Sequence, residues 1–149
     1  MNIFFLHRDP IVAAVRQHNK HVVKMTLESA QLLCTAHHVL GGSAPYKPTH
    51  VNHPCAVWVR SDANHYMWLY RHFAALSDEY TRRYGRVHKS WLVCSKPLKA
   101  LPKGLKASEW SDPPQCMPPE FQGDDTVAAY CRYYAAKMEN WNGTSRTNP

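Results

Sequence analysis

Between residues 18 and 33 the chain reads HNKHVVKMTLESAQLL. His21, Lys24, Glu28, Gln31 and Thr35 follow one another there at spacings of three and four. On a helix, such spacing stacks side chains on a single face. That face offers an acid, a base and hydrogen-bonding groups, a set suited to proton transfer. A solvent face fits the same spacing, with Lys24 and Glu28 as an i,i+4 ion pair in the less favourable orientation. Composition favours chemistry, because a solvent face ordinarily carries more long charged residues.

A second cluster is THVNHPCAVW, residues 49 to 58. His50, His53 and Cys55 have metal-ligand spacing, and His18 and His21 could complete a site. The plainer reading is a turn built by Asn52 and His53 before Pro54, with Val57 and Trp58 buried. Ten histidines give many chance H-x-x-H pairs. No metal and no other cofactor is therefore expected.

Basic and aromatic residues are interleaved from Arg60 onward: His65, Tyr66, Trp68, Arg71 and His72, then Arg82, Arg83, Arg86, His88, Lys89 and Trp91. Cations meet phosphates and aromatic planes stack on exposed bases, although most single aromatics are core. With 18 Lys and Arg against 11 Asp and Glu, the net charge is +7. DNA or a nucleotide is the expected partner. Asn52, His53, Arg60, Trp68 and Arg86 join His21, Lys24 and Gln31 as candidate substrate contacts.

These groups need elements to hold them. The 149 residues, 44% of them apolar, suit one globular domain with a core of its own. Five scattered cysteines without a C-x-x-C pair suggest a reducing cytoplasm. The apolar start Ile3–Leu6 is too short for a signal peptide or a membrane span.

Asp9-Pro10 starts a helix and Gly41-Gly42 stops it. One helix of about thirty residues fits, with a break allowed at His18-Asn19. Residues 41–60 read as loop. Ser61 or Asp62 caps a second long helix running to Gly85, with Glu79 and Arg83 paired on its outer face. Six prolines between residues 95 and 122 exclude regular structure there. Asp124 or Asp125 caps a shorter C-terminal helix, and residues 142–149 read as a frayed tail. The expected fold is all-α: a single domain, 1–149, with an N-terminal segment 1–8 and long irregular, Pro-rich connections.

Two stretches carry a resemblance: His21-Val22-Val23-Lys24-Met25-Thr26-Leu27-Glu28, and Met117-Pro118-Pro119-Glu120-Phe121-Gln122-Gly123-Asp124. They resemble, in order and separation, the phage pyrimidine-dimer DNA glycosylases with AP-lyase activity, the endonuclease V type. That family has a histidine seven residues before its catalytic glutamate, and a P-Q-E-F-R-G-D segment leading into its last helix. The V-N-H-P-C and R-Y-G stretches are also similar to short phage proteins of unassigned role.

The resemblance implies attack on a nucleotide C1′ by the N-terminal α-amine, a Schiff base, and support from Glu28. The amine would be that of Met1, since Asn2 disfavours removal of the initiator. An α-amine ionises near pH 7.7–8.0, far below lysine, so a useful fraction is nucleophilic at neutral pH. Leu27, Gln31 and Gln122 stand where the family has arginines. That directs the expected substrate away from pyrimidine dimers, toward a modified base, an abasic site or a free nucleotide. Met1 and Glu28 are thus the candidate catalytic pair of an N-glycosidase and lyase. The alternatives are a non-catalytic nucleic-acid-binding module and a metal-dependent hydrolase using His18, His21, His50, His53 or Cys55. The implied setting is the cytoplasm of a phage-infected cell.

Overall fold

The computed structural model describes residues 1–144, with side chains to Trp141. Six α-helices form one all-α domain: α1 (Pro10–Val15), α2 (Asn19–Val39), α3 (Pro54–Val59), α4 (Ala63–Tyr84), α5 (Lys89–Cys94) and α6 (Thr126–Thr144). There is no strand among the described residues. No helix there is long and apolar enough to cross a membrane.

The first long helix divides in two. Asp9 caps α1 by accepting from the Ile11 N–H, and His18 caps α2 by accepting from the Lys20 N–H. Residues 16–18 between them need partners for their backbone groups. Arg83 supplies these, donating to the carbonyls of Val15 (2.9 Å) and Gln17 (2.7 Å) and to Asn19 Oδ1 (3.0 Å). Its own charge is met by Glu79, at 2.9 Å. The Glu79–Arg83 pair expected on an outer face therefore lies inside, between α4 and the α1–α2 break. Both residues follow helical spacing, but that spacing does not say which face a neighbouring element covers.

The 41–60 loop contains α3, a turn of helix capped by His53 and opened by Pro54. A second short helix, α5, follows Gly85, whose φ of 72° ends α4 in the left-handed region that suits glycine. The C-terminal helix, expected to be the shorter one, has 19 residues against 22 in α4. Asp125 starts it by accepting from the Ala128 N–H. The tail expected to fray from residue 142 is helical through Thr144, and its remainder lies outside the described residues.

α2 and α4 pack side by side, with α1 against α4 and α3 against α2. The α4 seam Tyr66, Phe73, Ser77 and Tyr80 is buried, whereas Tyr84 at its end is exposed. Burial of apolar surface on this scale is the main force holding the helices together.

The N-terminal segment is part of that core. Ile3, Phe4, Phe5 and Leu6 are all buried. This four-residue apolar run thus packs the chain start into the core, with Phe4 against His21 of α2 and Tyr134 of α6.

The Pro-rich segment 95–122 makes only two short 3-10 turns, Pro97–Lys99 and Pro119–Phe121. It is bolted down elsewhere by side chains. The Asp62 carboxylate, the N-cap of α4, also accepts from the Ser108 (2.9 Å) and Glu109 (2.8 Å) N–H groups. The Trp58 indole donates to the Ser111 carbonyl, and Arg8 forms a two-bond fork with Asp112. Held in this way, the segment acts as a support that carries Cys116 to the chain's N-terminus.

Candidate functional site

The polar face on α2 is largely covered, although Lys24 at its edge stays 67% exposed. His21, Glu28 and Thr35 are buried, with Glu28 only 8% exposed. α6 and the N-terminal segment cover it at His21 and Glu28, while Thr49 covers Thr35. A buried carboxylate needs a compensating charge or hydrogen bonds. Glu28 receives two cations. The Met1 α-nitrogen stands 3.5 Å from Oε1, and Lys24 Nζ stands 3.6 Å from Oε2. Neither contact is a tight hydrogen bond, and Oε1 accepts none.

The seating of Met1 is built locally. The Asn2 side chain accepts from the N–H groups of Ile3 (2.7 Å) and Phe4 (3.1 Å) and donates to the Cys116 carbonyl (3.0 Å). This turn folds the first residues back on themselves. Phe4 then adopts φ 58°, a left-handed conformation that costs a non-glycine residue about 1–2 kcal/mol. Its ring pays for that conformation by packing. It lies 4.3 Å from the His21 ring and 5.4 Å from that of Tyr134.

Together these residues wall a pocket of about 300 Å³, lined by Met1, Asn2, Phe4, His21, Lys24, Met25, Glu28, His53, Cys116, Tyr133 and Lys137. Such a volume lies at the small end of ligand pockets. Glu28 is the one carboxylate in that lining, set among three amines. The excess positive charge suits a phosphate-bearing ligand.

The histidines here are held neutral. Burial lowers the His21 pKa to about 3, and Lys137, Lys24 and His18 push in the same direction. His21 Nδ1 is buried without a hydrogen-bond partner, and the neutral ring forms part of the pocket wall. His53 is also lowered, first by burial and then by the nearby α-amine. Its Nδ1 caps α3 by accepting from the Cys55 N–H at 3.1 Å.

Behind His53, Cys55 and Cys116 approach to 3.7 Å between sulfurs. The contact with Cys55 draws the Cys116 pKa down to about 7, while Cys55 itself is raised by that contact and by burial.

The structure thus brings Met1, His21, Lys24, Glu28 and His53 into one pocket. Gln31, although on the same face of α2, opens into a neighbouring groove with Leu27, Tyr46 and Lys89. Asn52 is exposed beside the start of α3. Arg60 is spent on the Val51 carbonyl, at 2.7 Å. Trp68 is buried and donates to the Arg8 carbonyl, along a groove with Asn64 and Arg71. Arg86 folds back on the Tyr80 hydroxyl. Of the histidines with metal-ligand spacing, only His53 joins Cys55 in a cluster, whose third member is Cys116.

Sequence reasoning missed Phe4, Cys116, Tyr133 and Lys137 as pocket residues. Tyr133 and Lys137 are one helical turn apart on α6, a signal the sequence did contain. Nothing local marks Cys116, 61 residues from Cys55. No family model, curated protein or solved structure matches the chain.

Proposed function

We propose that this pocket is the active site of an N-glycosidase with lyase activity on a damaged or modified nucleotide. The observation that carries the reading is the Met1 α-nitrogen 3.5 Å from the Glu28 carboxylate, inside a cation-lined pocket. The resemblance of the His21–Glu28 stretch to the endonuclease V type agrees with it.

Glu28 takes the proton that the α-ammonium must lose. The freed lone pair bonds to C1′ as the C1′–N bond breaks with its electrons on the base, and the base takes up the second proton, which the attached nitrogen releases. Opening of the C1′–O4′ bond then gives a protonated imine, and O4′ is protonated by Glu28. Water then either releases an abasic sugar and regenerates the amine, or β-elimination breaks the strand on the 3′ side. Lys24 and Lys137 hold the flanking phosphates, and the neutral ring of His21 walls the sugar or base. Flipping a nucleotide into a pocket of this size costs least for a damaged base.

Borohydride added to protein and abasic DNA tests the reading, because it reduces the imine to a stable adduct. Glu28→Gln should cut adduct formation by about 100-fold, the usual scale for a positioned proton carrier. Binding of the same DNA should persist. An adduct unaffected by the substitution removes Glu28 from the mechanism.

A further inference from the structure

Cys55 Sγ, Cys116 Sγ and a ring nitrogen of His53 all lie within 4.8 Å of one another. We propose that these three residues bind a zinc-class divalent ion. This proposal does not depend on the amine chemistry of the preceding section.

The spacing fits. Zinc–thiolate bonds of about 2.3 Å at tetrahedral angles put two sulfurs about 3.8 Å apart. Here the sulfurs are 3.7 Å apart before any ion arrives. A zinc–imidazole bond of about 2.0–2.1 Å asks the ring to close by about 1 Å at most. The three donors come from two rigid supports. His53 and Cys55 open α3, and Cys116 is fixed by the Asn2 amide on its carbonyl and by its own N–H on the Tyr130 hydroxyl.

Binding releases two thiol protons as the sulfurs become thiolates. Neutral imidazole has one lone pair, so the ion takes His53 Nδ1 away from the Cys55 N–H, or flips the tautomer to use Nε2. One cap hydrogen bond is lost and a metal bond gained. Cys55 is fully buried, whereas His53 and Cys116 line the pocket. Three protein ligands leave a fourth position, as in zinc sites that bind water or substrate. Two of the ligands, His53 and Cys116, line the same cavity as Met1 and Glu28.

The test uses the full-length protein, reduced and stripped of metal, titrated with zinc chloride against a chromophoric chelator. Cobalt(II) serves as the spectroscopic probe. The expected result is one zinc per chain and a cobalt spectrum with thiolate charge-transfer bands. Cys116→Ser should bind about 100-fold more weakly, as loss of one of few ligands implies, and weaken those bands. His53→Gln should weaken binding while keeping both thiolate bands. Cys131→Ser, outside both the cluster and the pocket lining, should change nothing. Substoichiometric zinc in the unaltered protein, or full affinity in Cys116→Ser, overturns the proposal. No nucleic acid is present in the titration, so its outcome and that of borohydride trapping fail separately.

Discussion

The Met1 α-nitrogen and the Glu28 carboxylate meet at 3.5 Å, although 27 positions separate them in sequence. Two devices create this meeting. α2 presents Glu28 inward on a face shared with His21 and Lys24. The Asn2 turn and the left-handed Phe4 bend the chain start so that its nitrogen reaches that face.

Phe4 gives the first prediction. Its ring is buried against His21, Tyr130 and Tyr134. Phe4→Ala should destabilise by about 3–5 kcal/mol in urea unfolding. Glycine is ordinarily the worse substitute by about 0.5–1 kcal/mol, but at φ 58° the order should reverse. Phe4→Gly measuring clearly less stable than Phe4→Ala would show that the backbone there is not strained.

Arg83 gives the second. Among the described residues it alone donates to the carbonyls of Val15 and Gln17 at the α1–α2 break. Arg83→Ala should cost about 1.5–3 kcal/mol, since its charged hydrogen bonds across the break are lost. Arg83→Lys should recover only a fraction, because an ammonium cannot fork across the break. Arg83 does not line the Met1 pocket, so amine reactivity per folded molecule should not change.

Acid stability gives the third. His72 is fully buried, donates to the Pro10 carbonyl, and has its pKa lowered by burial to about 4. His21 is lowered to about 3. Both folded values lie below the unfolded value of about 6.5, so the unfolded chain binds the extra protons. The stability they contribute is complete above about pH 6.5. It is lost on acidification toward pH 4, by about 1.4 kcal/mol per pH unit for each histidine. Urea midpoints at pH 7.5, 6 and 5 measure the slope. A flat profile across that window would mean that these rings are not held neutral.

Much of this architecture was legible in the sequence. The Asp9-Pro10 start, the Asp62 cap and the Gly85 stop each follow from local backbone chemistry, and each stands where expected. The fate of individual side chains was less legible. Arg60, Trp68 and Arg86 looked available for a nucleic acid, yet each is engaged by a carbonyl or hydroxyl from its own fold. Periodicity identifies a face and leaves open what will cover it. Glu28 is buried because α6 and the chain start close over α2. That depends on contacts between residues more than 100 positions apart, such as Asn2 with Cys116. Cys116, which joins His53 and Cys55 in their cluster, escaped notice for the same reason.

The central claim is that the α-amine of Met1 is the reacting group. The direct measurement is mass spectrometry of the borohydride-trapped complex with abasic DNA, after an intact mass has established the N-terminal residue. Proteolysis should place the sugar remnant on the peptide that begins with Met1, and Nα-acetylated protein should form no adduct. A remnant mapped to a lysine such as Lys24 or Lys137, or an adduct that survives acetylation, would contradict the account.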